Sequence, residues 1–320
     1  MGNLEGLEKD TTKQKIWDWW ASRNDGNRRH LGASQIGKRC ERALWYSFRW
    51  ANSPEFKGRV MRLFHRGHME EFTFVMELEG IGCEFVFPDK DPEKQWRFEA
   101  HDGHFGGSCD GVIKSGVPEA PKSPHIAEFK THSNKSWTDV RRHGVQESKP
   151  EHYFQMQSYM GMTGELWGAK HRVERALYVA VNKDNDDLHI ERVRFDPKAW
   201  ESMKLKAERV IYANKAPVGI SQNPQWYECK FCDYYDLCHK EATPEKNCRT
   251  CAHSTPVAEG KWSCSFLEKE LADAEERVGC DEYLMNPTMI DTWAVAVDAG
   301  DTWIKYKRND NGEEFVEGRV

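Results

Sequence analysis

The segment HIAEFKTH, residues 125–132, holds the pattern on which the fold of this 320-residue chain depends. It predicts a short apolar strand that carries two charged residues, Glu128 and Lys130, two positions apart. Alternate side chains of a strand project from the same face of the sheet, so these two charges share one face. An isolated pair of this kind is usually solvated on a protein surface. The neighbouring motifs therefore decide whether this face is a surface or a site.

The overall charge neither marks nor excludes a nucleic-acid partner. The formal net charge is −6, so DNA binding would depend on local basic groups such as Arg141, Arg142, His143 and Lys149. No run of eighteen apolar residues occurs, and the first residues lack the apolar segment of a signal peptide. We therefore expect a cytoplasmic protein with no membrane partner, in which ten cysteines bind metals more readily than they form disulfides.

The hydrophobic pattern predicts a mixed α/β core. Helices are expected in four regions, namely 31–50, 60–78, after Pro150 and 198–213. In the first helix Ser34 is the expected N-cap, and Cys40 is expected on the helix itself. Strands are expected in six apolar runs, CEFVF, QWRFEA, HFGGSCDGVI, HIAEFKTH, RALYVAVN and LHIERVRF. This order of elements indicates a mixed sheet flanked by helices.

Three carboxylates are predicted to meet beside Lys130. Asp110 lies near the end of GGSCDG, on a strand expected to pair with HIAEFKTH. Glu71 belongs to a predicted core stripe of the second helix, spaced three and four residues apart, which consists of Phe64, His68, Glu71 with Phe72, and Val75. Converging carboxylates repel one another unless cations lie between them, and oxygen ligands suit Mg²⁺ or Mn²⁺. A lysine at such a site can orient a water or stabilise a phosphate in its transition state.

Four short motifs in a fixed order resemble the RecB-type branch of the PD-(D/E)XK nuclease superfamily, namely RGHMEE (66–71), GGSCDG (106–111), EFK (128–130) and QMQSY (155–159). The resemblance implies a restriction-endonuclease-like mixed sheet. It also implies that Asp110 and Glu128 are metal ligands and that Lys130 is the catalytic lysine. Gln155 and Tyr159, four residues apart on one helix face, are implied to face the substrate or to support the lysine.

The first of these motifs leaves its metal ligand open. Many relatives carry a metal-binding histidine further along that helix, whereas here His68 directly follows Gly67. Glu71, Glu70 and His68 therefore compete for the role. We favour Glu71 because it shares the apolar face, with His68 second. A buried core histidine is the structural alternative for His68.

The run CKFCDYYDLC contains Cys229, Cys232 and Cys238, whose soft thiolates select zinc or an iron–sulfur cluster. In iron–sulfur members of the RecB-type family, which include CRISPR-associated and AddB-type nucleases, one cysteine precedes the nuclease motifs and three follow them. The resemblance therefore implies that Cys40 is the fourth ligand of a 4Fe-4S cluster. Zinc at the same four positions is the alternative, because spacing alone does not separate the two metals.

A second set of cysteines follows, namely Cys248, Cys251, Cys264 and Cys280. In a short module rich in loops, zinc is the metal ion that four cysteine sulfurs most often bind. His253 is an alternative to one of the cysteines, and Cys280 can instead be a free buried residue. The last segment, TWIKYKRNDNGEEFVEG, alternates around NDNG and predicts a β-hairpin. We therefore expect a small cysteine-rich, metal-binding C-terminal module.

These patterns together predict an N-terminal helical extension (1–30), a nuclease core with an iron–sulfur cluster (31–245) and the accessory module (246–320). The resemblance to the RecB-type branch implies Mg²⁺- or Mn²⁺-dependent DNA hydrolysis by an exonuclease, in recombination, repair or phage DNA processing. Its setting would be the cytoplasm, including that of a phage-infected bacterial cell, with a single-strand annealing protein or a helicase as partner. The alternatives are an end-trimming nuclease of CRISPR adaptation and a cluster-bearing DNA-binding or scaffold protein whose nuclease site is vestigial.

Overall fold

The computed structural model describes residues 11–24, 26–53, 55–91 and 94–319. Residues 1–10 and 25 of the predicted N-terminal extension lie outside these ranges. Of the helices in the described ranges, none combines the length and the hydropathy needed to span a membrane.

The described residues form both helices and strands. The helices are α1 (Thr11–Ala21), α2 (Glu41–Phe48), α3 (Gly58–Gly80), α4 (Asn134–Ser148), α5 (Pro150–Trp167), α6 (Pro197–Ile211), α7 (Tyr227–Lys230), α8 (Tyr235–His239) and α9 (Asp273–Val278). The strands are β1 (Leu31–Gly32), β2 (Glu84–Val86), β3 (Arg97–Ala100), β4 (Phe105–Ser108), β5 (Gly111–Ser115), β6 (His125–His132), β7 (Arg175–Asn182), β8 (Leu188–Arg194), β9 (Ser254–Pro256), β10 (Trp262–Cys264), β11 (Lys269–Leu271), β12 (Ala294–Ala299), β13 (Trp303–Arg308) and β14 (Glu314–Gly318).

A five-stranded mixed sheet in the order β2-β5-β6-β7-β8 occupies the centre. Strand β6 pairs antiparallel with β5 and parallel with β7, and its register places Glu128 beside Tyr178. Odd-numbered residues of β6, such as Phe129, pack towards α3 in one hydrophobic cluster. Even-numbered residues, such as Ile126, belong to a larger cluster with α4 and α5. The mixed α/β class predicted from the sequence is confirmed.

The predicted helix over 31–50 is wrong in its first half. Helix α2 begins only at Glu41, so Cys40 is the N-cap residue and does not lie on the helix. Upstream of it, Leu31 and Gly32 pair with β4. The backbone N–H groups of Leu31 and Ala33 donate to carbonyl oxygens of the β4 segment at 2.8 Å each. These tertiary hydrogen bonds satisfy the backbone without a helix, so Ser34 has no helix to cap.

The predicted core stripe of α3 is also wrong. Phe74 and Leu78 are its buried apolar residues, whereas Phe64 and Phe72 are 44% and 63% exposed. The C-terminal part of α3 packs on the central sheet, and the helix also packs against α1. Because one helix has two different neighbours, no single stripe runs along its whole length.

The C-terminal residues form two further antiparallel sheets, β9-β10-β11 and β12-β13-β14. The predicted hairpin is present as β13 and β14, and β12 extends it by one strand. Trp262 and Met289 share one hydrophobic cluster with Trp45. The hydroxyl of Tyr46 donates to the Met289 carbonyl at 2.9 Å. One hydrophobic core therefore includes residues from both sides of position 245. The domain boundary at that residue remains a prediction.

Close packing of α5 against α6 predicts a stability effect at Gly161. A Cβ atom added there would lie 2.2 Å from the indole ring of Trp200. We expect Gly161→Ala to lower the free energy of unfolding by about 1–3 kcal/mol through overpacking, measured by urea titration. The matched control is Gly67→Ala on α3, where an added Cβ has no neighbour within 4 Å. This control should be stabilised by about 0.5–1 kcal/mol. Equal effects at both glycines would contradict the packing argument.

Candidate active site

Asp110 and Glu128 are brought together at the start of β5, just after the chain leaves β4. Asp110 lies directly before β5, and the backbone N–H of Phe129 donates to its Oδ2 at 2.6 Å. This hydrogen bond ties Asp110 to the strand that carries Glu128. Lys130 forms an ion pair with Glu128 and donates from Nζ to the Phe129 carbonyl at 3.0 Å. The two charges of HIAEFKTH therefore face a buried carboxylate site.

The pKa values of the carboxyls in this site are shifted upwards, chiefly by burial. Burial, with the repulsion of Asp110, raises the pKa of Glu128 to about 8 although Lys130 opposes the shift. Burial also raises the pKa of Asp110. Burial alone would lower the pKa of Lys130, but the charges of Glu128 and Asp110 outweigh it and raise that pKa. The site thus lacks positive charge for its number of carboxylates.

Glu71 lies at the edge of the same site. Burial and the nearby charge of Asp110 raise the pKa of Glu71 to about 7. Its carboxylate accepts a hydrogen bond from Gln95 at 3.3 Å and lies 3.5 Å from Nδ1 of His68. The His68 side chain is 68% exposed, so it is not a core histidine. The pKa of the other candidate ligand, Glu70, is raised chiefly by burial and by acidic residues other than Asp110.

The donor set fits a divalent cation. Within the described ranges, no three His, Cys, Asp or Glu side chains already form a metal-binding cluster. However, Oε2 of the buried Glu128 has no hydrogen-bond partner in the described structure. Buried carboxylates with raised pKa values and an unpaired oxygen are stabilised by a hard cation, which prefers oxygen ligands. Asp110, Glu128 and Glu71 are the residues able to hold it.

Gln155 and Tyr159 lie on the face of α5 that approaches the strand leading to Asp110. The hydroxyl of Tyr159 donates to the Ser108 carbonyl at 2.8 Å, and Nε2 of Gln155 lies 3.4 Å from that hydroxyl. Any side chain at Gly107 would meet this hydroxyl, since a Cβ would lie 2.8 Å from it. Tyr159 therefore contacts the backbone before Asp110 and Gln155 contacts Tyr159, and no hydrogen bond among the described residues joins either of them to Lys130.

Three polar residues beside Lys130 were missed from the sequence. His132 continues the face of Glu128 and Lys130, and its Nε2 lies 2.7 Å from the Tyr178 hydroxyl. Nδ1 of His152 lies 3.0 Å from the same hydroxyl. Burial and the charge of Lys130 lower the pKa of His152 to about 2. Two spacings carried the signal: His132 follows the lysine by two strand positions, and His152 precedes Gln155 by three helix positions.

Three of the four predicted basic groups line one cavity beside α4. Arg142, His143 and Lys149 border a space of about 570 Å³ together with Lys135 and Asp139. The fourth predicted group, Arg141, lies elsewhere, over the ring of the buried Trp137 at 5.1 Å. This cavity presents basic groups suited to contact a phosphate backbone.

The first set of cysteines surrounds a cavity of about 390 Å³, whose lining includes Cys40, Cys229, Cys232 and Cys238. Burial and the other three cysteines raise the pKa of the Cys238 thiol to about 12, although Arg42 acts in the opposite direction. The backbone N–H of Tyr234 donates to the sulfur of Cys232 at 3.5 Å. The fold therefore brings Cys40 to the same cavity as three cysteines about 190 residues further along the chain, and four thiols in one lining are the ligand type that a thiolate-bound metal centre uses.

The second set lines a separate cavity of about 350 Å³, which includes Cys248, Cys251, Cys264 and Cys280. Burial and the other three cysteines raise the pKa of the Cys248 thiol to about 12. Cys280 is exposed, which contradicts its reading as a free buried cysteine. His253 also lines this cavity, and its buried Nε2 has no hydrogen-bond partner among the described residues. Cys83 and Cys109, the two cysteines outside both sets, are buried.

Comparison with known proteins places this arrangement in context. A family model of the PD-(D/E)XK nuclease superfamily matches residues 19–239. Similar solved structures include an alkaline exonuclease, LHK-Exo, from Laribacter hongkongensis (16% identity, TM-score 0.38, covering 60% of this chain and 89% of that chain). The same exonuclease in complex with dAMP is similar at 17% identity and a TM-score of 0.38, with the same coverage. SSO0001 is similar at 14% identity and a TM-score of 0.42, covering 75% of this chain and 99% of that chain. No curated protein matches the sequence.

The unpaired oxygen of Glu128 predicts a measurable cation affinity. We expect Glu128→Gln to weaken Mn²⁺ binding by at least about tenfold, measured by isothermal titration calorimetry and by the electron paramagnetic resonance of free Mn²⁺. The matched control is Glu84→Gln, which removes an exposed carboxylate paired with Lys114 on the same sheet. Unchanged affinity in Glu128→Gln would show that the cation, if bound, lies elsewhere.

Proposed function

Because this chain belongs to the PD-(D/E)XK nuclease superfamily, we propose that it is a Mg²⁺- or Mn²⁺-dependent DNA nuclease, acting as an exonuclease. The observation that carries the proposal is the convergence of Asp110, Glu128 and Lys130 at one buried site of the central sheet. Glu71 completes the set of carboxylates from α3. The motif order shared with the RecB-type branch supports the exonuclease mode.

Each residue has a separate part in phosphodiester hydrolysis. A bound divalent cation supplies a Lewis acid and lowers the pKa of a water ligand. Asp110 is oriented before substrate binds, because the Phe129 N–H already holds one of its oxygens. Lys130 keeps its proton at neutral pH, since its pKa is raised by Glu128 and Asp110. Its ammonium group can therefore stabilise the charge that develops on the phosphate in the transition state.

The remaining site residues act through position. Tyr159 holds the Ser108 carbonyl and so restrains the backbone that leads into Asp110. Gln155 lies beside that hydroxyl. The basic cavity beside α4 supplies contacts for the DNA backbone, which would steer substrate although the net charge of the chain is negative. We propose a cytoplasmic setting in recombination, repair or phage DNA processing, with a single-strand annealing protein or a helicase as partner.

We propose further that Cys40, Cys229, Cys232 and Cys238 hold a 4Fe-4S cluster. Three observations support this proposal. The four cysteines line one cavity, the other three raise the pKa of the Cys238 thiol, and a backbone N–H donates to the sulfur of Cys232. Such a cluster would connect the start of α2 with the segment that follows α6 and so rigidify the core. The second cysteine set is proposed to hold zinc, with His253 as the alternative ligand.

Removal of the charged site residues should abolish cleavage. Lys130→Met, Asp110→Asn and Glu128→Gln should each lower the rate by at least about 10²-fold, because each removes charge that acts in the transition state. The assay follows end-labelled linear DNA with Mg²⁺ or Mn²⁺, and a filter-binding assay verifies that DNA affinity is retained.

Lys114→Met is the matched control for Lys130→Met, since Lys114 lies on the neighbouring strand β5 in an exposed ion pair. Its rate should equal that of the unmodified protein. Near-normal rates in all three site variants would refute the nuclease proposal. Cleavage of covalently closed circular DNA would refute the exonuclease mode alone, because a closed circle offers no end.

The iron content should depend on Cys40. Cys40→Ser is expected to lower bound iron and sulfide and to reduce thermal stability together, because the fourth ligand of the cluster is lost. Anaerobic purification with iron and sulfide analysis measures the effect. Cys83→Ser, at a buried cysteine outside both cavities, is the control and should retain its iron. Full iron in Cys40→Ser would show that Cys40 is only the residue that precedes α2.

A further inference from the structure

Arg249 is buried at the point where the C-terminal residues meet the nuclease core. It lies between Cys248 and Cys251, and its side chain is fully inaccessible to solvent. Its guanidinium group forms an ion pair with the equally buried Glu276 at 2.8 Å. Nη1 also donates to the carbonyl oxygens of Arg29 and Phe48, at 2.8 and 3.2 Å. One side chain therefore joins the CxxC segment to the backbone at both ends of the region that contains α2.

Aromatic rings enclose the same guanidinium group. Its central carbon lies 3.7 Å from the ring centre of Trp50, 4.9 Å from that of Trp262 and 5.7 Å from that of Phe48. Cation–π contacts of a desolvated arginine are among the stronger ones. We call Arg249, Glu276, Trp262, Phe48 and Trp50 the arginine box. Trp50 and Phe48 belong to the end of α2 and its following turn.

The three C-terminal members of the arginine box all come from segments that carry the second cysteine set. Arg249 separates Cys248 from Cys251, and Trp262 precedes Cys264 by two residues on β10. Glu276 lies on α9, four residues before Cys280. A group that binds these cysteines together would therefore fix all three members at once. Without such a group, three short segments must place a buried ion pair by their packing alone.

We propose that Cys248, Cys251 and Cys264, together with Cys280 or His253, bind one zinc ion whose role is to hold the arginine box closed over α2. The unpaired buried nitrogen of His253, which lines the same cavity, is a second observation that points to a ligand. Each ligating thiol releases its proton to solvent on binding, so no redox partner is needed.

The physical reason is the cost of a misplaced buried charge. A buried ion pair stabilises a fold only when its partners are well aligned, and an uncompensated buried charge is strongly destabilising. Zinc would restrict the conformational freedom of the segments that carry Arg249 and Glu276, and so would keep their ion pair aligned. The box in turn restrains Phe48 and Trp50, and through α2 it restrains Cys40 at the N-cap. The zinc ion would thus act as a positioning device for the first cysteine set, a step that rests on the proposed function of that set.

The test combines metal analysis with hydrogen exchange on the full-length protein. The unmodified protein should carry about one zinc per chain, and Cys251→Ser should lose it. Of Cys280→Ser and His253→Ala, one should lose zinc and the other retain it, which identifies the fourth ligand. Removal of zinc by a chelator should speed amide exchange in residues 41–50 at least about tenfold, measured by mass spectrometry, with exchange in the C-terminal half of α3 unchanged.

Arg249→Met separates the ion from the box. It should retain zinc yet show the same faster exchange in residues 41–50. The matched control is Arg319→Met, which removes an exposed arginine paired with Glu282 on the same side of the boundary and should change neither quantity. If Arg249→Met does not fold, the chelated unmodified protein decides.

Absence of zinc from the unmodified protein, or zinc loss without faster exchange in residues 41–50, would overturn the proposal. Neither measurement involves DNA cleavage, so such a failure leaves the nuclease proposal intact. Conversely, an inactive protein that shows the expected zinc and exchange results would overturn only the nuclease proposal.

Discussion

Burial of Glu128 beside Lys130, whose side chain remains 25% exposed, is the constraint on which the other features of the site depend. Removal of a charged group from water costs on the order of several kcal/mol of free energy for each ion. Their ion pair and the N–H that Phe129 donates to Asp110 offset part of this cost. One oxygen of Glu128 has no hydrogen-bond partner among the described residues. A cation beside these carboxylates would remove the remaining imbalance, so the chemistry proposed for the site is also what would stabilise it.

Strand β6 serves packing and chemistry at once because its two faces differ. Its odd positions contribute to the apolar cluster under α3, and its even positions carry Glu128, Lys130 and His132 towards α4 and α5. Helix α5 returns across this second face, and its Tyr159 restrains the chain before Asp110. Except for Asp110, which directly precedes β5, the site residues therefore lie on regular elements, which hold catalytic groups more accurately than loops do.

The C-terminal residues belong to the same core as the nuclease motifs. Trp262, Met289 and Tyr306 share a hydrophobic cluster with Trp45, and Arg249 donates to the Phe48 carbonyl at the end of α2. A metal site in this region is therefore positioned to affect the nuclease core directly. From the sequence alone the region resembles an appended module, because cysteine spacing reports ligands and carries no information on the surface against which they pack.

The sequence by itself determined the features that depend on local periodicity. Alternation placed Glu128 and Lys130 on one face, and a spacing of four placed Gln155 and Tyr159 on one side of a helix; both arrangements are present in the structure. Only the tertiary structure decided that residues 31–33 join β4 and that Cys40 precedes α2. It alone placed Tyr159 against Ser108 and Arg249 against Trp50. These contacts join residues distant in sequence, and their positions follow from which surfaces exclude water together, a property of the whole chain that no local pattern contains.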